Sequence, residues 1–182
     1  MLERNPNSPS GSGPNLTITR PEFLVEGSDS GFRKFIYDLL ISSVQMEKIR
    51  EQIGGLIDLN GLQYHVLTVI SERSALGPVT VGDVVRTLQA GATHITMETG
   101  RRAGLVEKHP NPEDRRSVLL SLSKKGSTAL ASLTPARQEI NDTIFDGFSK
   151  DDFENFQKLM LKMVGTTSNA MVVADKIKQE KK

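Results

Sequence analysis

The sequence predicts a mainly α fold with one small β-hairpin set among the helices. Two observations carry this. Apolar residues recur at helical spacing along most of the 182 residues, and Gly, Pro and capping residues divide those runs into helices of ordinary length. The exception is Asp114–Gly126, which opens with charge (Asp114-Arg115-Arg116), turns into an alternating apolar strand and meets a helix-start residue at Ser123.

Residues 1–20 are rich in Asn, Pro, Ser and Gly and read as a flexible tail, because too little apolar area is available to offset the entropy of ordering them. The residues up to Ser30 add Phe23, Leu24 and Val25 and read as an arm. A first helix is predicted from about Gly31 to Ile53, with Phe32, Phe35, Ile36, Leu39, Leu40, Met46, Ile49 and Ile53 at near-helical spacing and Gly54-Gly55 as its stop. Asn60 is a good N-cap for a second helix reaching about Arg73, whose buried stripe is Leu62, Val66, Leu67 and Ile70. Gly77-Pro78 marks a turn.

Thr80-Val81-Gly82-Asp83 resembles a capping box with Asp in place of Glu, opening a short helix to about Leu88. After the break at Gln89-Ala90-Gly91, a further helix is expected over 92–103, ending at Gly104 as a C′ glycine. The hairpin strands are Leu105–Lys108 and Ser117–Leu122, joined by a turn-rich loop from His109 to Arg116. Ser123 then caps a long helix carrying Leu130, Leu133, Ile140, Ile144, Phe145 and Phe148, which Pro135 kinks or divides. Ser149-Lys150-Asp151-Asp152 starts the last helix, with Phe153, Phe156, Met160, Met163 and Val164 expected to be buried and a polar, basic tail expected over 166–182. Two short helices joined by a tight turn and followed by a hairpin make a winged helix-turn-helix.

Composition narrows the function classes. Hydrophobic residues are 37% and charged residues 25%, ordinary for a globular chain. The net charge is +1, so any basic surface is local; residues 80–126 hold eight basic and five acidic side chains. With no cysteine, a disulfide framework and a thiolate zinc site are excluded. The sequence offers neither a run near the ~20 apolar residues that span a bilayer nor the apolar core of a signal peptide, so no membrane partner and a cytoplasmic location are expected. His65, His94 and His109 lie on separate predicted elements, and no His-Glu-x-x-His, P-loop or nucleophile-elbow motif is present. Catalysis, metal and cofactor binding are not expected.

The chain resembles the MarR family of bacterial transcription regulators. Four stretches carry the likeness: Leu59–Leu67, with Gln63-Tyr64-His65-Val66-Leu67; Gly104-Leu105-Val106; the wing stretch Asp114–Gly126, similar to Asp-x-Arg followed by a strand and Leu-Thr-x-x-Gly; and Ile144–Ser149. The likeness covers roughly 31–165, with a DNA-binding lobe at about 60–126 and terminal helices that the resemblance implies are dimerisation helices. Ser123 stands where the family usually has Thr, Gly100 where it usually has Leu, and Ile95 where Arg is common.

The partners the resemblance implies are double-stranded DNA with a pseudo-palindromic operator, a second copy of the chain, and a small aromatic or phenolic effector. It points to a sequence-specific regulator, a repressor released by that effector. Thr93, His94 and Thr96, at the start of the recognition helix, are candidates for base contact, the alternative being that they cap the helix or face solvent. Arg101 lies in the last turn with Arg102, where a cation also suits the helix dipole. Arg116 matches the family's wing arginine and would enter the minor groove or grip the backbone, with Arg115 on phosphate. Asp114 would brace the wing through a salt bridge or turn hydrogen bond. Tyr37, Met46, Tyr64, His65 and Met97 are candidate effector-pocket residues, though Met and aromatic side chains at helical spacing also serve as ordinary core. The alternative function is a winged-helix module that binds protein without specific DNA binding.

Overall fold

The computed structural model describes residues 15–89, 91, 95 and 104–181. Its secondary structure comprises, among these residues, six α-helices and three short strands. They are α1 (Ser30–Gly55), α2 (Gly61–Ser74), β1 (Val79–Thr80), α3 (Val81–Leu88), β2 (Val106–Pro110), β3 (Val118–Leu122), α4 (Lys124–Ser132), α5 (Thr134–Ile144) and α6 (Lys150–Glu180). By packing, the chain divides after Leu133 into two compact units.

In the first unit the helix starts follow the sequence chemistry. Asn60 and Gln63 form a reciprocal capping box on α2, and Thr80 and Asp83 form another on α3. Each satisfies backbone N–H groups that a helix start otherwise leaves without partners. The left-handed Gln89 (φ 51°) ends α3. Gly54 permits the turn from α1 into α2 to close tightly: a Cβ there would sit 2.9 Å from the Leu59 carbonyl oxygen and 3.1 Å from the Tyr64 Cβ. Gly61 is bonded through its N–H to the Glu51 carboxylate, so α1 also supplies a partner for the first turn of α2.

The core cluster joins Val66, Val69 and Ile70 of α2 to Val79, Val84, Ile95 and Leu120, with Leu62, Val85, Val106 and Leu122 packed around it. One strand in this arrangement has no counterpart in the sequence reading. β1 pairs antiparallel with β3 (Val79 with Leu120, Thr80 with Leu119), and β3 pairs with β2, giving the sheet order β1-β3-β2. The hairpin strands begin one residue later than expected, at Val106 and Val118, and β2 extends to Pro110. Leu105 is buried just before β2, whereas Val118, at the far end of its strand, is exposed.

Residues 15–29 form the arm. The buried carboxylate of Asp29 accepts from both the N–H and the hydroxyl of Thr17, each at 2.6 Å, and pairs with Arg33 at 2.9 Å. These bonds hold the Asp29 carboxyl below the usual carboxylate range, Thr17 contributing most. The part of the expected flexible tail that the structure describes is therefore tied to the head of α1.

The long helix after Ser123 is divided, one of the two outcomes expected at Pro135: α4 ends at Ser132, and Pro135 stands in the first turn of α5, where its missing N–H costs no helix bond. Three other expectations are corrected. Phe145 and Phe148 fall beyond α5, in a turn that uses Gly147 at φ +80°, and pack edge-to-face with ring centroids 5.5 Å apart. None of Phe153, Phe156, Met160, Met163 and Val164 is buried, although a Ser149–Asp152 capping box starts α6 as expected. Helical periodicity identifies an apolar face but does not supply the surface that covers it. The expected polar tail is also helical, because α6 runs through Gly165 to Glu180.

Candidate nucleic-acid interface

The base of the hairpin is held by Ser123. Its N–H donates to the Leu105 carbonyl at 3.0 Å, its hydroxyl donates to the Gly104 carbonyl, and the same oxygen accepts from the Gly126 N–H at 3.0 Å. A single side chain thus ties the entry to β2, the end of β3 and the first turn of α4. Gly104 takes φ +98°, the left-handed conformation that favours glycine. At Gly126 a Cβ would overlap the Leu105 carbonyl oxygen, so the helix start can reach the strand entry only without a side chain. Ser at position 123 does the capping work expected of Thr.

The hairpin tip spans residues 111–117. The Ser117 N–H donates to the Asp114 carbonyl at 3.0 Å, closing a β-turn around Arg115 and Arg116. The Asp114 carboxylate accepts from the Arg116 N–H at 3.0 Å and lies 3.5 Å from its Nε. The first contact is a local turn bond. The second leaves the guanidinium in solvent, with the Arg116 side chain 94% exposed. Asn111 makes the matching bonds on the other side of the loop, accepting from the Glu113 N–H at 3.0 Å and donating to the Ser117 hydroxyl at 2.6 Å. Along β2, His109 lies 2.9 Å from the Ser121 hydroxyl across the strand pair.

The helical part of the lobe is braced as firmly. Arg73 of α2 donates to the Thr87 hydroxyl of α3 at 2.8 Å, and Arg86 pairs with Asp83 at 2.5 Å. The hydrogen bonds from Thr80, ahead of Arg86, hold the Asp83 carboxyl below its ordinary range. After α3, Ile95 is helical and completely buried in the core cluster. Thr93, His94, Thr96, Met97 and Arg101 lie outside the described residues.

The expected effector-pocket residues do not all share one surface. Tyr37 and Met46 are both exposed on α1. Nine residues apart, they point to opposite sides of that helix, at about 100° per residue. Tyr64 is only 6% exposed and packs within α2's buried face. His65 is half-buried, and burial, with the nearby Arg50 charge as a second cause, lowers its pKa and favours the neutral ring. Arg50 itself pairs with Glu47. Asn111 and Ser117 received no role from the sequence reading; the available signal was an Asn-Pro start to the loop and a hydroxyl just ahead of the strand.

A three-stranded sheet and a braced helix pair beside an arginine-tipped hairpin define a winged-helix lobe. Residues 59–126 match the family described as the winged helix DNA-binding domain. The HTH-type transcriptional regulator YdcH of Bacillus subtilis is 28% identical over 149 residues, which cover 80% of this chain and 88% of that protein. Among solved structures, S. aureus MepR in its DNA-binding conformation aligns with a TM-score of 0.66 at 18% identity, covering 73% of this chain and 98% of MepR. The S. aureus MepR–DNA complex aligns with a TM-score of 0.61 at 19% identity, covering 72% and 96%. The chain thus has a winged-helix fold like that of MepR, and its residues 59–126 are similar to a DNA-binding domain of that kind.

Proposed function

We propose that the chain is a homodimeric, sequence-specific repressor that binds a pseudo-palindromic operator and is released by a small aromatic or phenolic effector. The observation that carries this reading is the hairpin tip, where a closed turn presents Arg115 and Arg116 to solvent. A guanidinium held in this way suits the negative potential of a narrow minor groove or a flanking phosphate. Thr93, His94, Thr96 and Arg101 are the proposed groove-facing contacts of the preceding helix, and Asp114 the brace of the wing.

Two apolar surfaces support a dimer. α1 exposes Phe35, Leu40 and Val44, and α6 exposes Phe156, Leu159 and Leu161. Apolar exposure on this scale marks an interaction surface. A second copy would set two recognition helices about 34–36 Å apart, one turn of DNA. The proposed body spans 31–165, with a C-terminal segment of 166–182 whose residues up to Glu180 continue the last helix. For the effector, Met46, Arg50 and His65 are the preferred group, with Tyr64 behind them; Met46 and Arg50 are one helical turn apart, and a cation suits an aromatic acid. Met97 completes the proposed lining, and Tyr37, on the other side of α1, does not share it. No helix of the described residues is long and apolar enough to cross a membrane, which accords with a regulator that meets its DNA in the cytoplasm.

Light scattering tests the assembly: the expected mass is about 40 kDa, twice the 20.0 kDa of one chain. A DNA fragment from immediately upstream of the protein's own coding sequence should bind this dimer, and benzoate or salicylate should weaken the complex. The effector can reduce DNA affinity only by the factor separating its affinities for the free and DNA-bound forms. A stable monomer at micromolar concentration contradicts the dimer. DNA affinity unmoved by saturating aromatic acid contradicts the release.

A further inference from the structure

Three side chains of the tip point inward while its arginines point out. Asn111, Asp114 and Ser117 are half-buried, whereas Pro112, Glu113, Arg115 and Arg116 are exposed. The paired strands end at Pro110 opposite Val118. Proline has no N–H to continue the ladder. Beyond that pair, a side-chain bond from Asn111 Nδ2 to Ser117 Oγ replaces the missing backbone rung. The same hydroxyl donates to the Asp114 carbonyl at 3.1 Å, while the Asn111 and Asp114 side-chain oxygens each accept from the N–H two residues on. Two local turns are thereby stapled back to back through one hydroxyl.

We infer that Asn111 and Ser117 are positioning residues for DNA binding: their bond fixes the direction in which Arg115 and Arg116 leave the wing. The inference rests on the proposal that these arginines grip DNA. Without the Asn111–Ser117 bond, the loop retains the Asp114 turn but loses its tie across the hairpin neck. The arginines then sample more orientations, and ordering them on DNA costs affinity. Asn111 and Ser117 need not touch DNA for this effect.

The test measures affinity by fluorescence anisotropy on the upstream fragment. Asn111→Ala and Ser117→Ala are each expected to weaken binding roughly five- to tenfold, the range expected for one lost ordering hydrogen bond. Ser117→Thr keeps the hydroxyl and should restore affinity. Melting temperatures should stay within a few degrees of the parent, because the tip contributes nothing to the core. The deciding measurement is a double-mutant cycle: in an Arg115→Ala/Arg116→Ala background, Asn111→Ala should have almost no further effect. An Asn111→Ala variant with parental affinity overturns the inference, as does a loss that persists undiminished without the arginines. If the arginine variant itself binds like the parent, the wing reading fails first, an outcome distinct from failure of the positioning role alone.

Discussion

Replacing Gly126 with alanine is expected to destabilise the winged-helix lobe by about 3 kcal/mol, at the upper end of the range for forcing extra atoms into a packed site. The neighbour that the new Cβ meets is the backbone carbonyl of Leu105, not the end of a flexible side chain. That same carbonyl accepts the Ser123 N–H, and the Ser123 hydroxyl caps the helix on which residue 126 sits. Moving α4 away to relieve the overlap therefore also loosens the cap and the entry to β2. Urea denaturation of the parent and the variant measures the effect. A change below about 0.5 kcal/mol, the size of an ordinary surface substitution, would contradict the close approach.

Ile70→Ala is expected to cost about 3 to 4 kcal/mol, within the range for removing a large aliphatic side chain from a closed core. Ile70 has no exposed surface and lies in the cluster with Val66, Val69, Val79, Val84, Ile95 and Leu120. Its cluster partners come from α2, β1, α3 and β3, with Ile95 beside them, so a cavity there has no single element that can collapse to fill it. Ile70→Val should cost about 1 kcal/mol. Equal, small losses for the two variants would mean that the cluster relaxes freely around this position.

Much of this fold is legible locally. Asn60, Thr80-Asp83, Ser123 and Ser149-Asp152 each announce a helix start, because capping is a matter of side chains reaching backbone groups two or three residues away. What escapes is set by distant parts of the chain. β1 is two residues long and exists by pairing with Leu119 and Leu120, some forty residues later. The extension of α6 past Gly165 crosses Thr166, Thr167 and Ser168, whose hydroxyls all bond carbonyls of the preceding turn and so remain within a helix. The apolar faces of α1 and α6 show the same limit: spacing tells which side chains line up, while their covering depends on a surface elsewhere. In the candidate site, Asp114-Arg115-Arg116 stands out as a motif. Asn111 and Ser117 do not, because each acquires meaning only when the hairpin brings positions six residues apart within hydrogen-bond reach.

The central claim is that the arginine-tipped wing grips DNA. Anisotropy titrations of the parent and of Arg115→Ala/Arg116→Ala with the upstream fragment, repeated over a series of salt concentrations, test it most directly. Each phosphate contact steepens the dependence of log affinity on log salt by about 0.9. The variant should bind at least about tenfold more weakly at a fixed salt concentration, with a shallower salt slope and an unchanged mass by light scattering. Equal affinity and equal slope for the two proteins would contradict it.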